Sequence, residues 1–451
     1  MNAPFLAFAC PACRAPLVEG SAPHWTCQAC SGRFPTVGGI PLLLANPDAV
    51  LESWRAGLDQ FNREMAESAR HVLAAAVDAG LPAKARARLL ALGEALPQHA
   101  NNILVLFGEA GIFQQGMRAG VNASDLLEYY SLIHRDFVWA PEVDEVTPSV
   151  ETILSVLPSS FLLGRTLVLG AGTGKLAWEL GLRFAQAEPI VALDVNPLPF
   201  LITAKLLRGE SLELFELPGQ PRRSVDASRL RKIGSRSPTL SSLRLIFGDG
   251  LAPPFLEGSF DTVITPWFVD QVPKNAAELA PTIARLLAPG GSWVNHGPLI
   301  YNPGHTAAAH RYTADEFLEL VQNAGFLVTR SCYEAEPYMA SPLSSQARRE
   351  TVLTFHASKE VGARSHVEPA FLSDPSGLLP VPRLDAPLQT QATLPILGIL
   401  AGLCDGTRGV RELSVRLVEM GELADDGTAE AAVRGCLRVL LRIARASPTR
   451  G

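Results

Sequence analysis

The stretch LVLGAGTGKLAWELG, residues 167–181, determines our prediction of the fold. Its first three apolar residues predict a buried strand, glycines follow, and apolar residues at helical spacing begin at once. A buried strand that turns through glycines into a helix is typical of the first unit of a doubly wound sheet, where the turn approaches a nucleotide-like cofactor. The predicted cofactor loop consists of Gly170, Ala171, Gly172 and Gly174.

Four further apolar runs have the length of buried strands and are separated by helical patterns. They are PIVALDV (189–195), LRLIFGD (243–249), DTVITPW (261–267) and GSWVNHG (291–297). Strands that alternate with helices predict an α/β fold, a Rossmann-like doubly wound parallel sheet with helices on both faces. Ligands bind at the carboxyl ends of such strands, so we expect the residues there to hold the cofactor. These residues are Asp194, Asp249, Gly250 and Pro266.

The cofactor loop is compatible with two classes of cofactor, a nicotinamide-type dinucleotide and S-adenosylmethionine. A nicotinamide-type dinucleotide is expected to have a third glycine at position 175, where this chain has Lys175. Asp194 can accept hydrogen bonds from ribose hydroxyls in either class, so it does not discriminate between them. It could also cap its strand, and Asp249 could serve the turn of its GDG sequence.

Four cysteines near the start form two CxxC pairs, Cys10 with Cys13 and Cys27 with Cys30. This spacing can present four thiolates tetrahedrally to one Zn²⁺ and leaves no open coordination position, so we predict a structural zinc ribbon. Four unrelated thiols and a redox pair are the alternatives, and the second lacks a thioredoxin-like context.

Changes in composition predict the domain organisation. We expect a zinc ribbon at 1–47, a helical region at 48–130, the sheet domain at 131–360, a Pro-rich linker at 361–390 and a helix-turn-helix or winged-helix-like module at 391–451. The segment between residues 210 and 242 is a polar insertion that lengthens one crossover. The helical region is predicted to break near Pro82, Pro97 and Gly108.

Composition excludes several classes of protein. The 451 residues are 47% hydrophobic and 19% charged, as in a globular protein of two to four domains. A net charge of −6 supplies no general attraction for nucleic acid, so we expect no nucleic-acid partner. We expect no signal peptide, and no apolar run in the sequence is long enough to span a membrane. Paired cysteines fit a reducing compartment, and we predict the cytoplasm.

Several separated motifs resemble known families. Residues 165–300 resemble a class I S-adenosylmethionine-dependent methyltransferase. LIHRDFVWAPE, LVLGAGTGKLAWEL and FDTVITPWFVDQV…LLAPGGSWVNHGPLIY resemble the carnosine N-methyltransferases, over about residues 125–358. The cysteine-rich segment is similar to the zinc-ribbon activators of tRNA and release-factor methyltransferases, and to the ribbon of an rRNA guanine methyltransferase.

The resemblance implies roles for particular residues. Arg135 would hold the cofactor, Asp249 would bind the adenine amine, and Asp270 would contact an accepting imidazole. A guanidinium suits the methionine carboxylate because it binds bidentately. On the residues alone, Arg135 could instead form a surface ion pair, and Asp270 could cap a helix.

The chain departs from the carnosine methyltransferases at its substrate side. The GPLLYH of that family is GPLIYN here, so Asn302 replaces a histidine expected to act on the substrate. We predict Asp270, His296, Tyr301 and Asn302 as the catalytic residues. His296 and His305 are candidates for the lost base, and the alternative for each is a structural histidine. Arg348 and Arg349 replace aromatic residues, and they indicate either a more acidic substrate or a solvated strand edge.

These observations predict an S-adenosylmethionine-dependent enzyme that methylates a nitrogen of a small molecule or peptide. One alternative is an rRNA, tRNA or protein methyltransferase that uses the ribbon to grip a macromolecule. Another is a non-catalytic regulatory protein with a methyltransferase-like domain. For the C-terminal module we expect a protein partner.

Overall fold

The computed structural model describes residues 7–19, 24–112, 129–185, 188–234, 238–272, 275–360, 370–374, 376–381, 383, 395–424 and 427–446. The chain divides into two compact units, residues 1–365 and 366–451. The predicted ribbon, helical region and sheet domain fall within the first unit, and their boundaries stay predictions. Most of the predicted linker lies outside the described residues.

An 11-stranded sheet forms the centre of the first unit, in the order β1-β2-β3-β4-β9-β6-β5-β10-β11-β13-β12. Its strands are β1 (Leu17–Glu19), β2 (His24–Cys27), β3 (Arg33–Val37), β4 (Ile40–Leu43), β5 (Thr166–Leu169), β6 (Ile190–Asp194), β9 (Leu243–Gly248), β10 (Phe260–Pro266), β11 (Leu287–Gly297), β12 (Phe326–Tyr338) and β13 (Arg348–Lys359). The strands β7 (Leu212–Glu216) and β8 (Arg229–Ile233) form a separate two-stranded sheet. The six strands from β4 to β11 in this order are parallel, and β13 and β12 are antiparallel to their neighbours. The predicted Rossmann-like sheet is thereby confirmed.

Helices cover both faces of this sheet. In the first unit they are α1 (Pro47–Ala75), α2 (Ala83–Glu109), α3 (Tyr130–Phe137), α4 (Val146–Val156), α5 (Lys175–Arg183), α6 (Pro197–Leu207), α7 (Leu279–Leu286) and α8 (Ala314–Asn323). An apolar core lies on each face of the sheet. Successive residues of a strand pack in different cores, because their side chains point to opposite faces. Val168 packs with the helices α1 to α6, whereas Leu167 and Leu169 pack with α7 and α8.

Helix α2 is one continuous helix of 27 residues, so the predicted break near Pro97 is wrong, whereas the predicted breaks near Pro82 and Gly108 lie at the two ends of this helix. Proline lacks an N–H and normally interrupts a helix. Here Leu96 is buried just before the proline, and Ala100 and Ile103 after it belong to the apolar core. Tertiary packing therefore outweighs the local cost. No helix within the described residues is both long and apolar enough to cross a membrane.

The order of the strands creates a crevice. From β5 the chain continues to β6 and β9 on one side, and later to β10 and β11 on the other. The direction of winding therefore reverses between β5 and β10. Loops leaving two adjacent strands diverge at such a point, and ligands bind in the gap between them.

The cysteine-rich segment is continuous with the central sheet. Its strands β1, β2 and β3 are antiparallel, β3 pairs with β4, and β4 lies parallel to β9. The Arg14 guanidinium donates to the carbonyls of Pro253 and Phe255, at 2.9 and 3.1 Å, and the ring of Phe8 packs edge-on to Trp25. The ribbon is therefore built into the first unit through strand pairing and packing.

The predicted polar insertion contains an antiparallel hairpin of β7 and β8. The Glu216 carboxylate on β7 accepts hydrogen bonds from Trp139 Nε1 (2.8 Å), Ser341 Oγ (2.5 Å) and Arg231 Nε (2.9 Å). Because Trp139 follows α3 and Ser341 follows β12, this buried carboxylate joins three separate segments near the crevice.

The second unit is helical in its described residues. Its helices are α9 (Ala370–Ser373), α10 (Pro395–Leu403), α11 (Val410–Glu419) and α12 (Ala429–Ala446). Leu400, Leu413 and Leu437 form part of its own apolar core. No strand that could form the wing of a winged helix occurs among its described residues.

We predict that Phe247→Ala lowers the free energy of unfolding of the first unit by about 3–5 kcal/mol. Phe247 on β9 is fully buried, and its ring lies 5.4 Å from Trp54 on α1 and 5.7 Å from Phe200 on α6. Tryptophan fluorescence during denaturant unfolding measures this unit, because all six tryptophans precede residue 366.

The control is Leu162→Ala, whose side chain is 81% exposed and should change the free energy by less than about 0.5 kcal/mol. An equal effect of the two substitutions would contradict the described packing.

Candidate functional site

A cavity of about 740 Å³ occupies the crevice at the carboxyl edge of the sheet. Most of the predicted cofactor residues line it, and so does one predicted catalytic residue. These are Arg135, Gly170, Ala171, Gly172, Asp194, Asp249, Gly250, Pro266 and Asp270. Gly174, His296, Tyr301 and Asn302 are not among the lining residues.

The cofactor loop adopts backbone conformations that favour glycine. Gly170, Gly172 and Gly174 have φ values of +64°, +57° and +74°. A Cβ at Gly170 would also overlap the ring of Phe268, and a Cβ at Gly250 would meet the same ring. An aromatic side chain therefore packs closely against Gly170 and Gly250, a contact that no sequence motif indicated.

Asp194 organises the loop at the end of β6. Its Oδ2 accepts from the backbone N–H of Gly172 at 2.8 Å, and its Oδ1 accepts from Asn196 at 2.9 Å. Burial raises the pKa of this carboxyl, and these N–H groups oppose the shift. Each oxygen keeps a lone pair for a ligand hydroxyl, so the cap and the predicted ribose contact are compatible.

Asp249 follows β9 and lines the adjacent part of the cavity. Its Oδ1 accepts from the N–H of Leu251 at 2.8 Å, which is the local turn that the GDG sequence indicated. This turn leaves Oδ2 without a partner among the described hydrogen bonds, available to accept from an amine.

Arg135 on α3 pairs with its neighbour Asp136, at 2.6 Å from Nε to Oδ1. The second oxygen of Asp136 accepts a short hydrogen bond from the hydroxyl of Thr173 in the cofactor loop. Burial lowers and Asp136 raises the pKa of Arg135, with a net increase, so the guanidinium stays charged. The ion pair lies in the cavity wall and is not the surface pair considered above.

Asp270 lies in a 3₁₀ turn, Val269–Gln271, and is only 3% exposed. Its Oδ2 accepts from the N–H of Ile300 at 3.1 Å, and its Oδ1 has no hydrogen-bond partner among the described residues. Burial raises the pKa of this carboxyl to about 6. Asn275 provides the local cap instead, since its side chain accepts from the N–H of Ala277. Asp270 is therefore a buried acceptor with one free oxygen next to a cavity.

An aromatic wall faces this carboxylate. Trp267 stacks on Tyr338, with ring centroids 4.4 Å apart and planes at 21°, and the Arg348 guanidinium lies 4.7 Å from the Tyr338 ring. Trp267 has φ of +49°, a conformation uncommon outside glycine, and its N–H donates to the carbonyl of His296. The contribution of Trp267 to this wall was not predicted from the sequence.

The remaining predicted catalytic residues lie behind or outside the cavity. His296 is fully buried, with Nδ1 2.9 Å from Thr354 Oγ1 and Nε2 3.4 Å from Glu336 Oε2. Tyr301 is buried, with a hydroxyl that finds no partner among the described residues. Asn302 is exposed, and its Oδ1 accepts from the N–H of Gly304 in a turn. Between His296 and Asn302, the residues that line the cavity are Pro298 and Ile300.

The four cysteines converge. One sulfur from each of Cys10, Cys13, Cys27 and Cys30 lies within 4.8 Å of every other, and two of the pairs are 3.5 and 3.6 Å apart. Tetrahedral Zn–S bonds of about 2.3 Å place sulfurs about 3.8 Å apart, so the cluster has the size of a zinc site. The donor set is therefore compatible with one Zn²⁺.

Sequence comparison supports the predicted resemblance over part of the chain. Residues 224–361 match the family model for carnosine N-methyltransferase. A carnosine N-methyltransferase of Dictyostelium discoideum is 46% identical over 46 residues, or 10% of this chain and 10% of that protein. The chain thus matches about a tenth of this curated relative, and it resembles a class I methyltransferase of the carnosine type. The matched family region contains Asp249, Asp270 and Arg348 but not the cofactor loop.

Solved structures resemble the chain only weakly. An S-adenosylmethionine-dependent methyltransferase from Methanosarcina mazei is 14% identical and has a TM-score of 0.30, covering 46% of this chain and 97% of its own. A geranyl diphosphate methyltransferase is 14% identical and has a TM-score of 0.32, covering 47% of this chain and 77% of its own. Neither similarity bears on what this chain does.

We predict that the purified protein contains one Zn²⁺ per chain and that Cys13→Ser loses most of it. Removal of the metal by a chelator should lower the melting temperature, because zinc binding to a preformed site stabilises the folded state. Elemental analysis and thermal unfolding measure the two effects.

Cys332→Ser is the matched control, because Cys332 lies on β12, outside the cluster. Full zinc content in Cys13→Ser would contradict the assignment.

Proposed function

We propose that this protein transfers a methyl group from S-adenosylmethionine to a nitrogen of a small molecule or peptide. The observation that carries the proposal is Asp270, a buried carboxylate with one unpaired oxygen at the acceptor side of the cavity. The family match and the position of the cavity at the switch point support it.

The lining residues fit the cofactor in size and charge. Asp194 and Asp249 offer carboxylate oxygens where ribose hydroxyls and an adenine amine require acceptors. Arg135 offers a partly buried positive charge for the methionine carboxylate. Gly172 exposes its backbone without a Cβ, and the nearest atom to such a Cβ would be 3.6 Å away, so a ligand can approach this part of the loop. When bound, S-adenosylmethionine supplies an electrophilic methyl group on a positively charged sulfur.

Asp270 is proposed to orient the accepting nitrogen. Its ionised form can accept an N–H of an imidazole or amine, which directs the remaining lone pair of the acceptor away from the carboxylate. Trp267 and Tyr338 form an apolar wall that excludes water from this side of the cavity. Asn302, exposed in its turn, has no part in this proposal. His296 is proposed to position Trp267 through the backbone hydrogen bond between them.

The cysteine cluster is proposed to bind a structural zinc ion, since its four thiols leave no ligand position for a substrate. Free thiols in this arrangement suit a reducing compartment, and the cytoplasm remains our prediction. A protein partner for the second unit also remains a prediction.

We predict that S-adenosylmethionine binds and that Asp194→Ala weakens binding by about tenfold to a hundredfold. The substitution removes a charged hydrogen-bond acceptor, and a hydrogen bond to a charged group contributes about 1.5–3 kcal/mol. Isothermal titration calorimetry measures the dissociation constant. Asp315→Ala, on the exposed start of α8, should bind as the wild type does. Absence of binding to the wild type would refute the enzyme proposal.

Transfer itself is tested with cofactor labelled in its methyl group. The protein is incubated separately with metabolite, peptide and RNA pools, and we expect label in metabolites or peptides. Label in RNA alone would contradict the proposed substrate class.

The pKa of Asp270 predicts the pH dependence. Because burial raises this pKa to about 6, the carboxyl is protonated below pH 6 and ionised above it. We therefore expect kcat/KM to rise about tenfold per pH unit below pH 6 and to level off above it. Asp270→Asn should lower kcat at least about a hundredfold, abolish this rise and leave cofactor affinity within about twofold. Equal losses of turnover and cofactor affinity would show that Asp270 only supports the local structure.

A further inference from the structure

Helix α3, which carries Arg135, is held at both ends by strand β7 of the polar insertion. The hydroxyl of Tyr130, the first residue of the helix, donates to the carbonyl of Phe215 at 2.5 Å. The indole of Trp139, just after the helix, donates to the Glu216 carboxylate at 2.8 Å. Phe215 and Glu216 are consecutive residues of β7. A helix of eight residues is too short to be stable by itself, so its position depends on contacts of this kind.

The carboxylate that receives the indole is itself fixed. Glu216 is 4% exposed and Trp139 is 2% exposed. Arg231 on β8 forms an ion pair with Glu216, at 2.9 Å between Nε and Oε2. Trp139 and Ser341 both donate to the other oxygen, Oε1. A buried carboxylate with donors on both oxygens cannot move without losing charge-assisted hydrogen bonds, so the hairpin holds the indole in one place.

Between its two held ends, α3 presents Arg135 and Asp136 to the cavity. The Asp136 carboxylate accepts from Arg135 Nε and from the hydroxyl of Thr173 in the cofactor loop. Among the described residues, no hydrogen bond involves the two terminal nitrogens of Arg135. These nitrogens can bind a carboxylate only if the guanidinium has the right position and direction. The position of α3 therefore controls what Arg135 can bind.

We infer that strand β7 positions Arg135 for the methionine carboxylate of the cofactor, by holding α3 at Phe215 and Glu216. The inference rests on the proposed methyl transfer, which supplies this ligand. It gives the polar insertion a part in cofactor binding, although none of its described residues lines the cavity. Glu216 is thus a positioning residue, which acts on the cofactor through Trp139 and the helix.

The test is a double-mutant cycle measured by isothermal titration calorimetry with S-adenosylmethionine. Trp139→Phe removes the donor to Glu216 and keeps an aromatic ring in the core. We expect it to weaken binding by about tenfold, because a bidentate ion pair tolerates little displacement. Arg135→Gln removes the guanidinium and should weaken binding at least as much. Because β7 acts through Arg135, adding Trp139→Phe to Arg135→Gln should weaken binding further by less than about twofold.

Ser341→Ala is the matched control, because Ser341 donates to the same Glu216 oxygen but belongs to the segment after β12. It should leave cofactor affinity within about twofold of wild type. Tyr130→Phe removes only a hydroxyl, at the other end of α3, and should weaken binding by about threefold to tenfold. This variant leaves no cavity, so it decides the matter if Trp139→Phe does not fold.

The outcomes separate the two proposals. Wild-type affinity in both Tyr130→Phe and Trp139→Phe would overturn the role of β7 and leave methyl transfer intact. Losses from Trp139→Phe and Arg135→Gln that add in full would also overturn it, since the indole would then act by another route. An equal loss in Ser341→Ala would reduce Glu216 to general support of the fold. No binding to the wild type would refute the proposed methyl transfer and this inference with it.

Discussion

The parallel pairing of β4, β9, β6, β5, β10 and β11 is the constraint on which the first unit depends. Strands in a parallel sheet are joined by crossovers, and both faces of the sheet must be covered. The helices α1 and α2 precede the cofactor loop in the chain, yet they pack on the same face as α5 and α6. The helices α7 and α8 cover the other face. This leaves the carboxyl edge of the sheet, where the loops diverge, to form the cavity.

The two sides of the cavity are built by different means. On the cofactor side, backbone N–H groups and ion pairs hold the carboxylates, as between Gly172 and Asp194 and between Arg135 and Asp136. On the acceptor side, a carboxylate is buried beside aromatic rings and keeps an unpaired oxygen. The first arrangement fixes the positions of the carboxylates on the cofactor side. The second leaves the Asp270 carboxylate with one hydrogen bond unmade until a ligand binds. An unsatisfied buried polar atom costs free energy, and this cost is a reason to assign function to Asp270 before any other carboxylate of the cavity.

The sequence predicted the parts of the structure that local pattern controls. The apolar runs became β5, β6, β9, β10 and β11, and the paired CxxC turns became the cysteine cluster. Features that depend on distant contacts were missed. Helix α2 continues through Pro97 because the surrounding core holds it, and a polar insertion forms a hairpin because Glu216 finds partners from distant segments. The loop at 295–305 illustrates the limit for site residues. Three of the four predicted catalytic residues lie in it, but its backbone buries His296, exposes Asn302 and contributes Pro298 and Ile300 to the cavity.

The pairing of β4 with β9 has a consequence for solubility. A doubly wound sheet ends in strands whose outer N–H and C=O groups are free to pair with another chain, and proteins protect such edges from aggregation. Here β4 covers β9, and β3, β2 and β1 extend the cover into a small twisted ribbon with a short outermost strand. If the ribbon unfolded, β9 would become an exposed edge of buried, apolar sequence. A metal ion bound by the four cysteines would therefore protect the edge of the central sheet as well as the ribbon itself.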